Sequence, residues 1–189
     1  MQRHTIALCQ VGFAKLRDRT DALAHHHHLT PGQQALADLL GVAALYRALA
    51  EHHPARFWLV SAILGDPRHM VSDDEALHIA APLIGLMGEV SQRMDAAARH
   101  GTLRSGTPLQ RSTILISALQ GVLQVGKLER LAPDAIHAQA LAAQLAVNLM
   151  RGWGASEADL VAARAVVDTL TPQLEELVRE PLFSTEEAA

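Results

Sequence analysis

The sequence predicts an all-α protein, on three observations of composition and pattern. Apolar residues make up 49% of the 189 residues, whereas aromatic residues make up only 3%. Alanine and leucine dominate the apolar fraction, and both favour helices over strands. Apolar residues also recur at helical spacing between turn-forming residues. We therefore expect a single-domain bundle of about seven helices over residues 1–180, with a frayed tail over residues 181–189.

Turn and capping residues divide the first part of the chain. A first helix is predicted over about residues 5–24, and it ends at a run of four histidines. Thr30 followed by Pro31 is typical of a helix start, because the hydroxyl caps the first turn and proline suits its first position. This second helix is expected to reach His53. A short third helix, PARFWLVSAIL, begins at Pro54.

Similar signals define the remaining helices. Ser72 with Glu75 three residues later forms a capping-box pattern that starts a fourth helix, ending at about residue 100. A fifth helix begins near Pro108. A sixth follows the break RLAPDA and ends at RGWGA, and Ser156 opens a seventh that continues to about residue 178.

Charge and cysteine usage limit the function classes. The formal net charge is −4, and no segment gathers the lysine and arginine that a nucleic-acid backbone requires. The single cysteine, Cys9, excludes an internal disulfide and suits a reducing compartment. The uncharged stretches fall short of the roughly 20 apolar residues that cross a bilayer. We expect a cytoplasmic protein with no membrane contact.

Two consecutive helices have unusually wide apolar faces. Over residues 114–128 the apolar side chains sweep an arc of roughly 200°, about twice the apolar stripe of an ordinary surface helix. The sixth helix carries no charged residue between Asp134 and Arg151. Two interpretations remain open: both helices lie at the centre of a monomeric bundle, or they pair with a second copy in a four-helix bundle. We expect the homodimer. The candidate interface residues are Leu115, Leu119, Val122, Leu141, Leu145, Asn148 and Leu149.

Several segments together resemble one family. GTLRSGTPLQRSTILISALQGVLQV, followed by a helix ending in LMRGWGAS, is similar to the C-terminal half of TetR-type transcriptional regulators. LAEHHPARFWLV resembles the helix, His-Pro turn, helix passage of that family, and LCQVGFAKLRDRTDALA resembles its linking helix. The resemblance implies an all-α body that dimerises through its last long helices and binds a small, mostly apolar effector between its middle ones.

The family's DNA-binding head has no counterpart in these residues. No recognition helix with a basic and polar face, preceded by a tight turn, occurs in the sequence. The resemblance therefore places no DNA-binding residue here, and we expect contact with DNA only through a head absent from this chain. The expected function is the ligand-binding and dimerisation body of a ligand-responsive transcriptional regulator.

Candidate ligand-binding residues are the polar, aromatic and methionine side chains on otherwise apolar helices. They are Tyr46, Trp58, Ser61, His78, Met87, Met94, Gln120 and Gln124. For Trp58 and the two methionines, the pattern favours an ordinary core position over a place in the ligand site. Gln120 and Gln124 lie one turn apart, and a cavity wall, a contact across the dimer axis and the solvent-exposed surface are all compatible with that spacing.

Metal-dependent and hydrolytic chemistry is not expected. Glu75 with His78, and Asp134 with His137, repeat the carboxylate-x-x-His spacing of di-iron bundles. Each acid nevertheless falls in the first turn of its predicted helix, where the helix dipole favours an anion without any metal. HExxH, GxSxG and phosphate-loop motifs are absent from the sequence. We expect no cofactor, no metal and no enzymatic activity. The alternative functions are a helical metal-binding enzyme using those pairs and a purely structural dimerisation module.

Overall fold

The computed structural model describes residues 2–55, 57, 58, 61, 73–129, 131, 132, 134 and 136–179, with side chains from residue 14 onward except 73–83, 86 and 127. In these residues all regular structure is helical, so the predicted all-α class is confirmed. The helices are α1 (Gln2–His26), α2 (Pro31–His52), α3 (Asp73–Arg99), α4 (Pro108–Gln124), the single-turn α5 (Gly126–Glu129), α6 (Ala138–Gly152) and α7 (Glu157–Arg179).

Some predicted features fall outside this part of the chain. Residues 54, 55, 57, 58 and 61 are helical where the third helix was expected, but its last residues are not described. Ser72 of the proposed capping box and the tail over residues 181–189 also lie outside the described residues.

α2 begins with the predicted cap. The Thr30 hydroxyl accepts a hydrogen bond from the Gln33 backbone N–H at 3.3 Å, and the Gln33 side-chain oxygen accepts one from the Thr30 N–H at 3.0 Å. Pro31 occupies the first turn. The two reciprocal bonds satisfy backbone donors that have no partner within the helix. Thr30 therefore fixes where α2 starts, as the sequence predicts.

α2 is the helix that the others enclose. It packs against α1, α3, α4, α6 and α7, and its middle residues are buried on every side. Small residues make this possible. A Cβ added to Gly41 would lie 3.0 Å from the Cδ1 atom of Leu16, so α1 and α2 approach closely at that point. The sequence pattern gives the widest apolar arcs to α4 and α6, but α2 is the most enclosed helix.

The turn between α3 and α4 attaches to the end of α6. Gly101 has a φ of 77°, which glycine adopts without strain and which ends α3. The Arg104 backbone N–H then donates to the Trp153 carbonyl at 2.8 Å. Arg111, in the first turn of α4, donates to the Arg104 carbonyl at 2.6 Å, and its guanidinium lies 5.6 Å from the centre of the Trp153 ring. The start of α4 is thus fixed beside the end of α6.

α6 begins one turn later than the sequence predicts. Asp134 lies in a turn, and the Ile136 N–H donates to the Ala132 carbonyl at 3.0 Å, which closes a separate turn ahead of the helix. His137 occupies the N-cap position without a side-chain capping bond. Asp134 and His137 therefore do not share a helix face, and the expected one-face pair is wrong at this position.

α7 starts at the predicted residue. The Ser156 hydroxyl accepts a hydrogen bond from the Asp159 N–H at 3.1 Å and donates to the Asp159 carboxylate at 2.6 Å. Asp159 also accepts from the Gln33 side chain at 3.0 Å. The first turns of α2 and α7 are therefore joined by a direct contact. No helix among the residues that the structure describes is long and apolar enough to cross a membrane.

Candidate functional site

Two of the predicted ligand-binding residues line one cavity. Trp58, which precedes the undescribed segment, and Gln124, at the end of α4, face a space of about 230 Å³ together with Phe57 and Leu123. We call this space the aromatic cavity. Its size is close to the lower bound of about 300 Å³ for small-molecule sites. Its lining combines aromatic and aliphatic groups with the amides of Gln124 and Gln139 and the carboxylate of Glu129. Apolar walls with a few polar groups are the usual composition of a small-molecule site.

The aromatic cavity is supported by ordered side chains from α2 and α6. Tyr46 contacts Phe57 edge-on, with ring centres 5.5 Å apart, an arrangement that aromatic pairs favour. Arg47 donates to the side-chain oxygen of Gln139 at 3.1 Å, and Gln139 belongs to the cavity wall. Partial burial lowers the pKa of the Arg47 guanidinium. These contacts hold the cavity wall in one arrangement.

The other predicted ligand-binding residues do not line this cavity. Met94 is fully buried in the main core, and Met87 packs against the same core. Gln120 is buried on α4. Ser61 is buried, and its hydroxyl has no hydrogen-bond partner among the described residues. The His78 side chain lies outside the described residues.

A second site, which the sequence analysis did not predict, lies between α1, α2 and α3. It is a cleft of about 500 Å³, and its charged residues are Arg17, Asp21, Asp38, Glu89 and Arg93. We call it the charged cleft. Asp38 and Arg93 are the buried members. The Arg93 Nε atom lies 3.8 Å from the Asp38 Oδ2 atom, too far for a good hydrogen bond.

The ion pair in the charged cleft is incompletely satisfied. Among the residues that the structure describes, neither Asp38 Oδ1 nor Arg93 Nε has a hydrogen-bond partner. The Arg93 Nη1 atom donates to the Glu89 carbonyl at 3.0 Å and lies 3.6 Å from the Glu89 carboxylate. Burial raises the pKa of the Asp38 carboxyl from 3.8 to about 6, against the lowering influence of Arg93. Buried polar atoms without partners are uncommon in folded proteins, so this pair marks a candidate binding site.

A signal for Asp38 was present in the sequence. Asp38 is the only charged residue between Pro31 and Tyr46, in the middle of the run ALADLLGVAAL. A lone acid in an apolar helix points to a partner on another helix. Arg93 carried no comparable signal, because it lies in a segment with several other polar residues.

The predicted interface residues divide into buried and exposed groups. Leu115 and Leu119 are 0% exposed and belong to the core of the single chain. Leu141 is 45% exposed, Asn148 is exposed, and Leu145 is partly exposed. Val122 and Leu149 are also partly exposed while packing against the core. A second copy would therefore meet the outer side of α6 and not Leu115 or Leu119.

α6 buries three alanines and two larger residues, and leaves one leucine on its surface. Its buried residues are Ala138, Ala142, Ala146, Val147 and Met150. Leu141 is 45% exposed, and Leu145 is partly exposed one turn further on. Removal of apolar area from water is favourable by about 25 cal/mol for each Å². Leu141 and Leu145 therefore leave apolar area on the outer side of α6, beside the exposed Gln144 and Asn148.

The described residues contain no group of three histidine, cysteine, aspartate or glutamate side chains that could hold a metal ion. His137 instead contacts the Glu129 carboxylate, with Nδ1 and Oε1 3.4 Å apart. Of the other predicted pair, Glu75 with His78, the side chains lie outside the described residues. Comparison with protein-family models, curated proteins and solved structures finds no match to this chain.

Proposed function

We propose that this chain is the ligand-binding and dimerisation body of a TetR-type, ligand-responsive transcriptional regulator. Two copies associate through the outer surface of α6 and its neighbours in a four-helix bundle, and a small, mostly apolar effector binds in the aromatic cavity. The observation that carries the proposal is the apolar area that Leu141, at 45% exposed, and the partly exposed Leu145 leave on the outer side of α6.

The neighbouring helices offer further apolar surface of the same kind. Ile114 on α4 is 43% exposed, and Val161 on α7 is 61% exposed. α4 and α6 run antiparallel, because Arg111 lies beside Trp153 at one end and Leu123 shares a cavity wall with Ala138 at the other. An antiparallel helix pair with an apolar outer surface is the half that a twofold axis completes into a four-helix bundle.

The effector part of the proposal depends on the position of the aromatic cavity. The cavity is built from the end of α4, the start of α6 and residues that follow α2. A ligand there contacts both helices of the proposed dimer bundle. Such a ligand changes the arrangement of two subunits if it binds one arrangement more tightly than the other.

Association is tested by sedimentation velocity on Leu141→Glu and on Leu131→Glu as a matched control. Both leucines are surface-exposed, Leu131 at 81% and Leu141 at 45%, so neither change should unfold the chain, and Leu131 lies in a turn outside α4 and α6. We expect a dimer for the wild type and for Leu131→Glu, and a monomer for Leu141→Glu, because a buried unpaired carboxylate opposes association. A monomeric wild type, or a dimeric Leu141→Glu, contradicts the proposed interface.

Effector binding is tested by thermal shift with a panel of small apolar compounds. A compound that binds only the folded state raises the melting temperature, and the stabilisation grows with the logarithm of one plus the ratio of ligand concentration to Kd. We expect Trp58→Ala to abolish the shift. A purely structural dimerisation module predicts dimers without any ligand-dependent shift, so the two measurements separate the alternatives.

A further inference from the structure

The aromatic cavity has a negative charge in its wall. Glu129, the last residue of α5, contributes a carboxylate, and the other polar side chains of the described lining are the carboxamides of Gln124 and Gln139. Arginine, lysine and histidine are absent from the described residues of the lining. A ligand in the cavity therefore meets a carboxylate that these residues do not neutralise.

The Glu129 carboxylate is open to a ligand. The Glu129 side chain lines the cavity and is 39% exposed. Within the part of the chain that the structure describes, its contact is with His137, whose Nδ1 atom lies 3.4 Å from Oε1. This distance is longer than that of an ordinary hydrogen bond. The carboxylate therefore has acceptor capacity left for a donor in the cavity.

Gln124 supplies a second accessible acceptor. Its side chain is exposed and makes no hydrogen bond to any other described residue. Gln139 is different, because its oxygen accepts from the Arg47 side chain at 3.1 Å and its NH2 group donates to the Arg47 carbonyl at 3.4 Å. An ammonium group has three donor hydrogens, so it is able to contact a carboxylate and an amide oxygen at once.

The helix ends at the cavity do not reverse the preference for a positive charge. α4 ends at Gln124, where the helix dipole favours a cation, and α6 begins at Ala138, where the dipole favours an anion. Both residues line the cavity. The two dipoles oppose each other there, so the Glu129 carboxylate decides which charge the cavity favours.

The apolar part of the wall suits a compact hydrocarbon body. It includes Phe57, Trp58 and Leu123. Trp58 is 44% exposed, so part of its ring is open to a ligand. The face of an aromatic ring attracts cations as well as apolar groups. The volume of about 230 Å³ is smaller than that of sites for drug-sized ligands, so the body must be small.

We propose that the aromatic cavity binds a small protonated amine with an apolar body, such as an arylalkylamine. The ammonium group donates to the Glu129 carboxylate and to the Gln124 side-chain oxygen, and the apolar body packs against Trp58. This inference rests on the proposed function and names the charge of its effector. A carboxylate on the same body would be repelled by Glu129 and is disfavoured.

The proposal is tested by isothermal titration calorimetry on the full chain at neutral pH. The probes share one apolar body and differ in charge: phenethylamine is a cation, phenethyl alcohol is neutral, and hydrocinnamate is an anion. We expect the amine to bind at least about tenfold more tightly than the alcohol, because hydrogen bonds between charged groups are the stronger ones. We expect the anion to bind more weakly than the alcohol. An alcohol that binds as tightly as the amine overturns the inference and leaves the proposed apolar effector in place.

Glu129→Gln tests the assigned contact. The change keeps the size of the side chain and removes its charge, so we expect the affinity for phenethylamine to fall about tenfold while that for phenethyl alcohol stays the same. Glu157→Gln is the matched control, because Glu157 pairs with Arg151 at 2.9 Å and does not line the cavity. An unchanged affinity for the amine in Glu129→Gln, with the fold confirmed by circular dichroism, overturns the inference.

Trp58→Ala tests whether the amine binds in this cavity. We expect the affinities for the amine and the alcohol to fall together, because both probes use the same apolar wall. An unchanged affinity for the amine places it elsewhere and overturns the inference. If phenethylamine does not bind while apolar compounds raise the melting temperature, only the inference fails. If neither binds, the effector part of the proposed function fails with it.

Discussion

Replacing Asp38 by asparagine should stabilise the folded chain. Asp38 is buried on α2, and its carboxyl has a pKa of about 6 in the folded chain, against an ordinary value of 3.8. The main cause is the loss of hydration on burial, and Asp21 adds a smaller repulsion. The charges of Arg93 and Arg17 act in the opposite direction but do not compensate. Asparagine removes the charge that burial disfavours.

The cost of the ionised Asp38 in free energy of unfolding follows from the difference between its pKa values in the folded and the unfolded chain. Because the folded chain holds the Asp38 proton more tightly than the unfolded chain, ionisation opposes folding. The cost is fully present above the folded pKa of about 6 and disappears as the pH falls toward 3.8. With 1.36 kcal/mol for each pKa unit, it amounts to about 3 kcal/mol at pH 7 and about half of that at pH 5.

Replacing Asp38 also removes the negative charge that lies beside Arg93. Removing one member of a buried ion pair usually destabilises a protein, because the other charge is left without compensation. Arg93 keeps the Glu89 carbonyl at 3.0 Å and the Glu89 carboxylate at 3.6 Å, so it retains a counter-charge. The attraction of Arg93 is also already included in the shifted pKa of Asp38. We therefore expect the desolvation cost to dominate.

The assay is urea unfolding of the wild type, Asp38→Asn and Asp95→Asn at pH 7 and pH 5. We expect Asp38→Asn to raise the free energy of unfolding by about 3 kcal/mol at pH 7 and by about half of that at pH 5. Asp95 belongs to a partly exposed pair on α3, and its replacement should change the free energy by less than about 1 kcal/mol. A destabilised Asp38→Asn, or a gain that does not shrink at pH 5, would refute the reasoning.

Two further substitutions have controls within the chain, and urea unfolding measures both. In Gly32→Ala the new Cβ would overlap the buried Thr102 side chain, so we expect a loss of about 1–3 kcal/mol. Gly121→Ala meets no atom within 4 Å and should gain up to about 1 kcal/mol from helix propensity, so equal effects at the two sites would contradict the packing argument. Thr30→Ala removes the α2 cap and should cost about 1 kcal/mol. Thr107 makes no side-chain capping bond, so Thr107→Ala should change the free energy by less than about 0.5 kcal/mol, and a larger loss there than at Thr30 would be inconsistent with the cap.

Helix boundaries were the most predictable part of this fold. Thr30, Pro31 and Ser156 act on their own first turns, so their effect is contained in a few neighbouring residues. The start of α6 was less predictable, because its N-cap residue His137 makes no side-chain capping bond and a separate turn closes first. Neighbouring residues therefore predict the start of a helix only where one of them caps its first turn.

The sequence predicts which helix positions are apolar better than it predicts what each apolar face packs against. A helical wheel identifies Leu119 and Leu141 as apolar positions, but one is fully buried and the other is 45% exposed. Their difference depends on which helices pack against α4 and α6. α2 becomes the enclosed helix because its glycines and alanines allow other helices to approach closely from several directions. Such small residues add little to the apolar arc on a helical wheel, so the wheel does not reveal the enclosure.

The candidate sites also depend on which helices pack together, and the sequence does not give this. Trp58 and Gln124 were predicted as separate residues, and their shared cavity depends on how α4 and α6 meet the segment after α2. The charged cleft was missed because its parts come from three helices and Arg93 lies far from Asp38 in the sequence. Only Asp38, as a lone acid in an apolar run, gave a local signal.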